Sequence, residues 1–236
     1  MKKILVFAHN YVGNNWYEIV DEQLTKLVDS GLYYQATKIY YGAYSSNQEQ
    51  LTKFIKLVKS KDVRRKIQII IHPNNDGEKQ TLIFLQETVK NYEDAYVLYY
   101  HTKGVTTLQQ HTDKPDLDYK NTESWRHIME YYAIERWQYS VNEFIRHPHV
   151  DTVGCLYIGD DGYPNKYFYA GNFWWATSAH INQLPDMKLR DNRMGCELWV
   201  CAKPHNWLNL FPAHGGEIYY EYYDPKDYRK DLDTRD

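Results

Sequence analysis

The chain has 236 residues, with 28 Lys and Arg against 31 Asp and Glu and a formal net charge of −3. With 43% hydrophobic residues it has the composition of a globular chain, which excludes a disordered or fibrous one, and near-neutral charge without a basic block argues against a nucleic-acid binder. No apolar run approaches the roughly 20 residues that span a bilayer, and Cys155, Cys196 and Cys201, odd in number and without metal spacing, fit reduced thiols of a cytoplasmic protein.

The first hundred residues alternate between short apolar runs and helical periods. Ile4 to Ala8 reads as a buried strand, and Trp16, Ile19, Val20, Leu24 and Leu27 recur at helical spacing up to Gly31. Ile39 to Ala43 is a second strand. Ser46 with Glu49 reads as a capping box opening a helix whose apolar face is Leu51, Phe54, Ile55 and Val58. Lys66 to Ile71 is a third strand, Leu82, Leu85 and Val89 line a third helix, and Tyr96 to Tyr100 is the fourth strand. This order implies right-handed crossovers and a mainly parallel α/β sheet covered on both faces, with a ligand site beyond the carboxyl ends of its strands.

The residues that follow each strand are polar. They are His9, Asn10 and Tyr11 after the first, His72 to Asp76 after the third, and His101-Thr102-Lys103-Gly104 after the fourth. In the last, an ammonium, a hydroxyl and a glycine that admits close backbone approach suit a diphosphate, with an ordinary tight turn as the alternative. Further on, a helix begins near Asn121-Thr122 and carries a stripe of Trp125, Met129, Ala133, Trp137, Val141 and Phe144 that ends before Pro148. Thr152 to Tyr157 and Phe168 to Ala176 read as strands around the turn Asp160-Asp161-Gly162, and a helix containing Glu197 and Trp199 follows. In Gly171-Asn172-Phe173-Trp174-Trp175-Ala176 one face can join the core while Asn172 and Trp174 offer an amide and an indole. In Arg193-Met194-Gly195-Cys196-Glu197 a carboxylate near a helix start, beside an arginine, can act as a general base. The chain has no GxGxxG after the first strand, no GxxxxGK[ST] and no GxSxG, which argues against dinucleotide oxidoreductases, P-loop NTPases and serine hydrolases.

Taken in order, Tyr99 to Val105, Ser124-Trp125-Arg126 with Trp137, Val153-Gly154, Ala170 to Ala176, Leu184-Pro185 and Arg193 to Trp199 resemble a family of bacterial-polysaccharide and large-DNA-virus glycosyltransferases with a GT-A fold. The resemblance implies one GT-A-like domain: about 1–105 as the nucleotide-sugar half, about 106–215 as the acceptor half, and 216–236 as an aromatic, charged tail. It implies a UDP-type nucleotide-sugar donor, a glycan acceptor, and probing of the donor by His9, Asn10, Tyr11, His101, Thr102, Lys103 and Gly104. Glu197 becomes the general base of an inverting transfer, with Asn172, Trp174 and Arg193 orienting the sugars. Where GT-A enzymes usually carry a metal-binding Asp-x-Asp, this chain reads His101-Thr102-Lys103. Two solutions stay open: Lys103 neutralises the diphosphate directly, or Mn or Mg is held by His101 with Asp160, Asp161, His214 or the Asp116-Leu117-Asp118 triplet, the last a pattern that arises easily by chance in a chain with 31 acids. Two rivals remain: a non-catalytic module that binds nucleotide-sugar or carbohydrate on the same scaffold, and a glycoside hydrolase pairing Glu197 with Asp160 or Asp161. The 24 tyrosines fit a protein that stacks rings on sugars, although drift in base composition explains them as readily.

Overall fold

A computed structural model describes residues 2–105, 119–159, 167–190, 193–213 and 221–229. The alternation seen in the sequence builds the first half: β1 (Lys3–Tyr11), α1 (Trp16–Asp29), α2 (Leu32–Gln35), β2 (Lys38–Tyr44), α3 (Gln48–Lys61), β3 (Ile67–Ile71), α4 (Lys79–Val89) and β4 (Ala95–His101). The four strands pair in parallel in the order β3-β2-β1-β4. Successive side chains of a strand point to opposite faces. Ile4, Val6 and Ala8 of β1 accordingly pack with α1 and α3, while Leu5 and Phe7 pack with Leu82, Leu85 and Val89 of α4.

Two local expectations are corrected here. The cap of α3 is Asn47, whose side chain accepts hydrogen bonds from the amides of Glu49 and Gln50, and not Ser46. β1 runs on to Tyr11, because the edge of β2 continues alongside it to Tyr44, so His9 and Asn10 lie within the strand and not after it.

The second half completes the sheet with short segments. After α5 (Tyr119–Glu130), a π-helical turn (Tyr131–Glu135) and α6 (Trp137–Arg146) come β5 (Thr152–Gly154), β6 (Tyr157–Ile158), β7 (Phe168–Tyr169) and β8 (Trp174–Thr177). α7 (Ser178–Gln183), α8 (Arg193–Glu197), a 3₁₀ turn (Trp199–Cys201), β9 (Trp207–Asn209) and α9 (Pro225–Arg229) follow. β8 pairs antiparallel with both β4 and β5, and β9 runs parallel to β5, giving a mixed seven-stranded sheet β3-β2-β1-β4-β8-β5-β9. β6 and β7 form a separate antiparallel pair. The expected strand Phe168–Ala176 is thus two strands separated by a turn at Ala170–Phe173, with Gly171 at φ +84° and Asn172 at φ +58°. No helix among the described residues is long and apolar enough to cross a membrane.

The expected single helix, from near Asn121-Thr122 to before Pro148, is broken for a reason its stripe contains. Trp125, Met129, Ala133, Trp137 and Val141 recur every fourth residue, and in a straight α-helix each such step drifts by about 40° around the axis. The π turn, in which Arg136 N–H donates to the Tyr131 carbonyl at 2.8 Å, takes up the accumulated rotation. All of these side chains, with Phe144, are buried.

α1 and α5 are joined by charge. Glu130, fully buried, accepts from Gln23 Nε2 (2.8 Å), Arg126 Nη1 (2.9 Å) and Lys26 Nζ (2.6 Å). Arg126 and Lys26 also pair with Glu22. Burial opposes the charges of Arg126 and Lys26, but Glu130 and Glu22 outweigh it and hold both cations above their ordinary values. Removing one member of such a set strands the others in a poorly solvated place. Glu130→Ala is expected to cost about 3 kcal/mol in urea unfolding. A loss under 1 kcal/mol would mean that the cations relax into solvent.

Candidate functional site

The three sequence motifs meet at one edge of the sheet. β4 ends at His101, and because β8 runs against β4 with Tyr99 opposite Trp174, the turn Gly171–Phe173 lies beside that end. α8 brings Arg193 and Glu197 to the same place: the charges of both act on Lys103 and on His101. Glu197 is the last residue of α8, which corrects the expectation of a carboxylate at a helix start. Its side chain is 14% exposed, with Arg193 Nε 3.4 Å from its Oε1.

At the centre is a residue that the motifs did not single out. Glu78, immediately before α4, accepts from the Tyr99 hydroxyl (2.8 Å) and from Asn172 Nδ2 (2.7 Å) on the same oxygen, Oε2. Its Oε1 is 3.9 Å from His101 Nε2. Only its place after the polar run His72–Asp76, at a strand end of a parallel sheet, could have marked it. Asn172 is fixed on its other side as well, since its Oδ1 accepts from Trp174 Nε1 at 2.8 Å. Asn172 and Trp174 are each 1% exposed. Their amide and indole are therefore spent on holding Glu78, and not offered at the edge as the sequence suggested.

His101 Nε2–H donates to the Gly171 carbonyl at 2.8 Å. Burial, reinforced by the charge of Lys103, lowers its pKa to about 3, so the imidazole is neutral. Gly171 cannot carry a side chain here: its φ is +84°, and a Cβ would lie 2.5 Å from Met129 Sδ. Thr102 stitches β4 to β1, its amide donating to the His9 carbonyl and its Oγ1 accepting from the Tyr11 amide, both at 3.0 Å. Gly104 follows at φ +85°. Lys103 is 5% exposed, its ammonium 3.8 Å from the centroid of the Trp125 ring. Burial lowers its pKa to about 8, with Glu197 opposing that shift, Arg193 adding to it and Glu78 opposing it.

The residues expected to hold a nucleobase are only partly at the edge. Tyr11 is half-buried, beside the ring of Tyr44 at 6.3 Å. His9 and Asn10 are buried on opposite faces of β1. His9 Nδ1 and His72 Nε2 share the Thr81 hydroxyl at 2.9 and 2.8 Å, and burial takes the His9 pKa down to about 3. Asn10 Nδ2 donates to the Gly42 carbonyl, while its buried Oδ1 has no hydrogen-bond partner among the described residues.

Asp160, Asp161 and His214, like Asp116 and Asp118, lie outside the described residues. Among the described ones, ligand atoms of Glu22, His127 and Glu130 come within 4.8 Å of one another, but Lys26 and Arg126 already neutralise them. At the end of β4 the described donor set does not suit a divalent ion: an ammonium occupies the motif, the imidazole gives its Nε2–H to a carbonyl, and one oxygen of Glu78 is committed to two donors.

The family model described as Domain of unknown function (DUF8361) matches residues 5–196. No curated protein matches the chain. Among solved structures it is similar to the mannosyltransferase PcManGT from Pyrobaculum calidifontis, in complex with GDP-Man and Mn2+, at 8% identity and a TM-score of 0.50. That match covers 88% of this chain and 54% of the mannosyltransferase, so the chain spans about half the length of that protein. A manganese complex of Rv0371C from Mycobacterium tuberculosis H37Rv matches at 9% identity, covering 98% of this chain and 99% of the other, with a TM-score of 0.44. At such identity the likeness to the mannosyltransferase is one of fold: the mixed, mainly parallel sheet is GT-A-like.

Proposed function

The chain belongs to the DUF8361 family, and since that description assigns no chemistry, we propose from the site itself that it transfers a sugar from a nucleoside-diphosphate-sugar to a glycan acceptor. The observation that carries this reading is the gathering of Lys103, Glu197 and Arg193, with Glu78 beneath them, beyond the carboxyl end of β4 in a GT-A-like sheet. An open α/β sheet binds its ligand at that edge, and a cation there suits the charge that builds on a departing diphosphate.

In this reading Glu197 removes the proton of an acceptor hydroxyl. The oxygen attacks the anomeric carbon from the side opposite the diphosphate, the bond from that carbon to the phosphate oxygen breaks, and the electron pair leaves with the nucleoside diphosphate, beside Lys103. Attack from the opposite side inverts the anomeric centre. Glu78, held by Tyr99 and Asn172, fixes the Gly171–Phe173 turn against His101. The half-buried ring of Tyr11 supports a nucleobase at the end of β1. Residues 1–105 then serve the donor and 106–215 the acceptor. No step passes through a metal ion, because the described residues at the diphosphate position supply the counter-charge themselves.

Thermal-shift titration against UDP-, GDP- and dTDP-sugars, with manganese and with EDTA, tests the reading. A donor at 100 times its Kd adds about 2.7 kcal/mol, which in a protein of this size raises Tm by about 5–10 °C. One donor class should give this shift, equally in EDTA, and release nucleoside diphosphate in the presence of a glycan. If no nucleotide-sugar shifts Tm, the proposal fails. A shift without transfer or hydrolysis over long incubation would leave a binding module.

A further inference from the structure

A second feature lies one residue beyond Glu197. A cavity of about 620 Å³ opens where β6, β9 and the 3₁₀ turn meet, with Leu198 in its wall, and it falls inside the roughly 300–1,000 Å³ range of ligand clefts. One side is aromatic: Trp207, 48% exposed, stacks on Tyr157 at 4.1 Å and 15°, and Tyr167 stacks beyond Tyr157 at 6.4 Å. Among the described residues, the charged side chains in its wall are both basic, Arg190 and Lys203, in a chain whose net charge is −3. Neither has a carboxylate partner among the described residues. In the same wall His205 Nδ1–H donates to the Lys203 carbonyl at 2.8 Å.

Each element answers to one part of an acidic sugar. Ring faces pack on the C–H faces of a pyranose, and a guanidinium and an ammonium lining one cavity take up an anion. We propose that this cavity is an acceptor subsite for a saccharide bearing a carboxylate or phosphate group. The assignment rests on the glycosyl-transfer reading of Glu197 only for the word acceptor. Binding of the acidic saccharide does not.

Calorimetry without any nucleotide tests it, using oligogalacturonate, its carboxyl-reduced neutral counterpart, and mannose 6-phosphate against mannose. At least one acidic ligand is expected to bind about tenfold or more tighter than its neutral partner, and the pair that shows the difference identifies the acid. The double variant Arg190→Gln/Lys203→Gln should abolish that preference, while Trp207→Ala weakens acidic and neutral ligands alike. Unchanged Tm in the variants shows that folding is intact. Equal affinity for acidic and neutral ligands in the wild type, no binding of any of them, or a preference that survives the double variant would each overturn the proposal. Because no donor is present, these outcomes are separate from the nucleotide-sugar titration. Failure there with acid binding intact would leave this site standing as a carbohydrate site alone.

Discussion

Replacing Glu197 with glutamine is expected to lower sugar transfer about 10²–10⁴-fold, the range that general-base catalysis supplies, while the nucleotide-sugar still binds. The amide keeps the size of the side chain and an oxygen facing Arg193, which sits 3.4 Å away, but it cannot take a proton. The substitution has a second effect that the measurement must separate. The charge of Glu197 helps to keep Lys103 protonated, so its loss moves the lysine pKa further below about 8. Steady-state kinetics at pH 6.5, well below the wild-type Lys103 pKa of about 8, should show a fall in kcat with little change in the donor KM. Transfer at the wild-type rate would remove Glu197 as the base and leave Glu78, the other carboxylate at this edge among the described residues, to be tested by Glu78→Gln.

Lys103→Ala acts on the donor. An ammonium paired with a phosphate in a poorly solvated place is worth about 1.5–3 kcal/mol, so nucleoside-diphosphate affinity should fall about ten- to hundredfold in calorimetry with EDTA present. The pH dependence gives the sign. With the pKa lowered to about 8 by burial, Lys103 is charged at neutral pH and loses its proton as pH rises through 8. Affinity in the wild type is then flat below 8 and declines above it, and the variant shows no such decline. Folding runs the other way: between about 8 and the ordinary 10.5 the unfolded chain holds the proton more tightly than the folded one, so the ligand-free protein gains stability over that window relative to Lys103→Met. An affinity that is unaffected by the substitution would exclude the phosphate role.

What the sequence made legible follows from run length. The strands β1 to β4 are five to nine residues of nearly continuous apolar character separated by amphipathic helices, a pattern that only a covered parallel sheet satisfies. The strands of the second half have two to four residues each, too few to show a period, and they exist through pairing with distant segments: β8 with β4 and β5, β9 with β5, and β6 with β7. The site divides along the same line. Lys103 stood out because a charged residue follows closely on the apolar run of β4, whereas Arg193 and Glu197, on a short helix away from any strand in the chain, stood out as a carboxylate near an arginine and through the resemblance. His9 and Asn10 were misplaced because polar residues inside a strand look like the loop after it, and nothing in β1 announces that β2 covers them. Glu78 carried no signal of its own: its importance comes from Tyr99 and Asn172, 21 and 94 residues away in the chain, which donate to it.

The π turn at Tyr131–Glu135 makes this part of the chain a counted length. Losing a residue inside the turn would close it into a regular helix with Trp137, Val141 and Phe144 kept on their present face, because the turn holds the one extra residue. A residue added or lost in the regular helix on either side would instead rotate one part against the other by about 100°. Trp137, Val141 and Phe144 would then leave the core, and the Trp137 indole would lose the Ser30 carbonyl to which it donates at 3.0 Å. The Ala133 carbonyl, which takes up the Trp175 indole at 3.0 Å, sits inside the turn itself, so β8 and the Gly171–Phe173 corner would feel the same change. Sequences that share this fold are therefore expected to tolerate the loss of a residue within Tyr131–Glu135 far better than one before or after it.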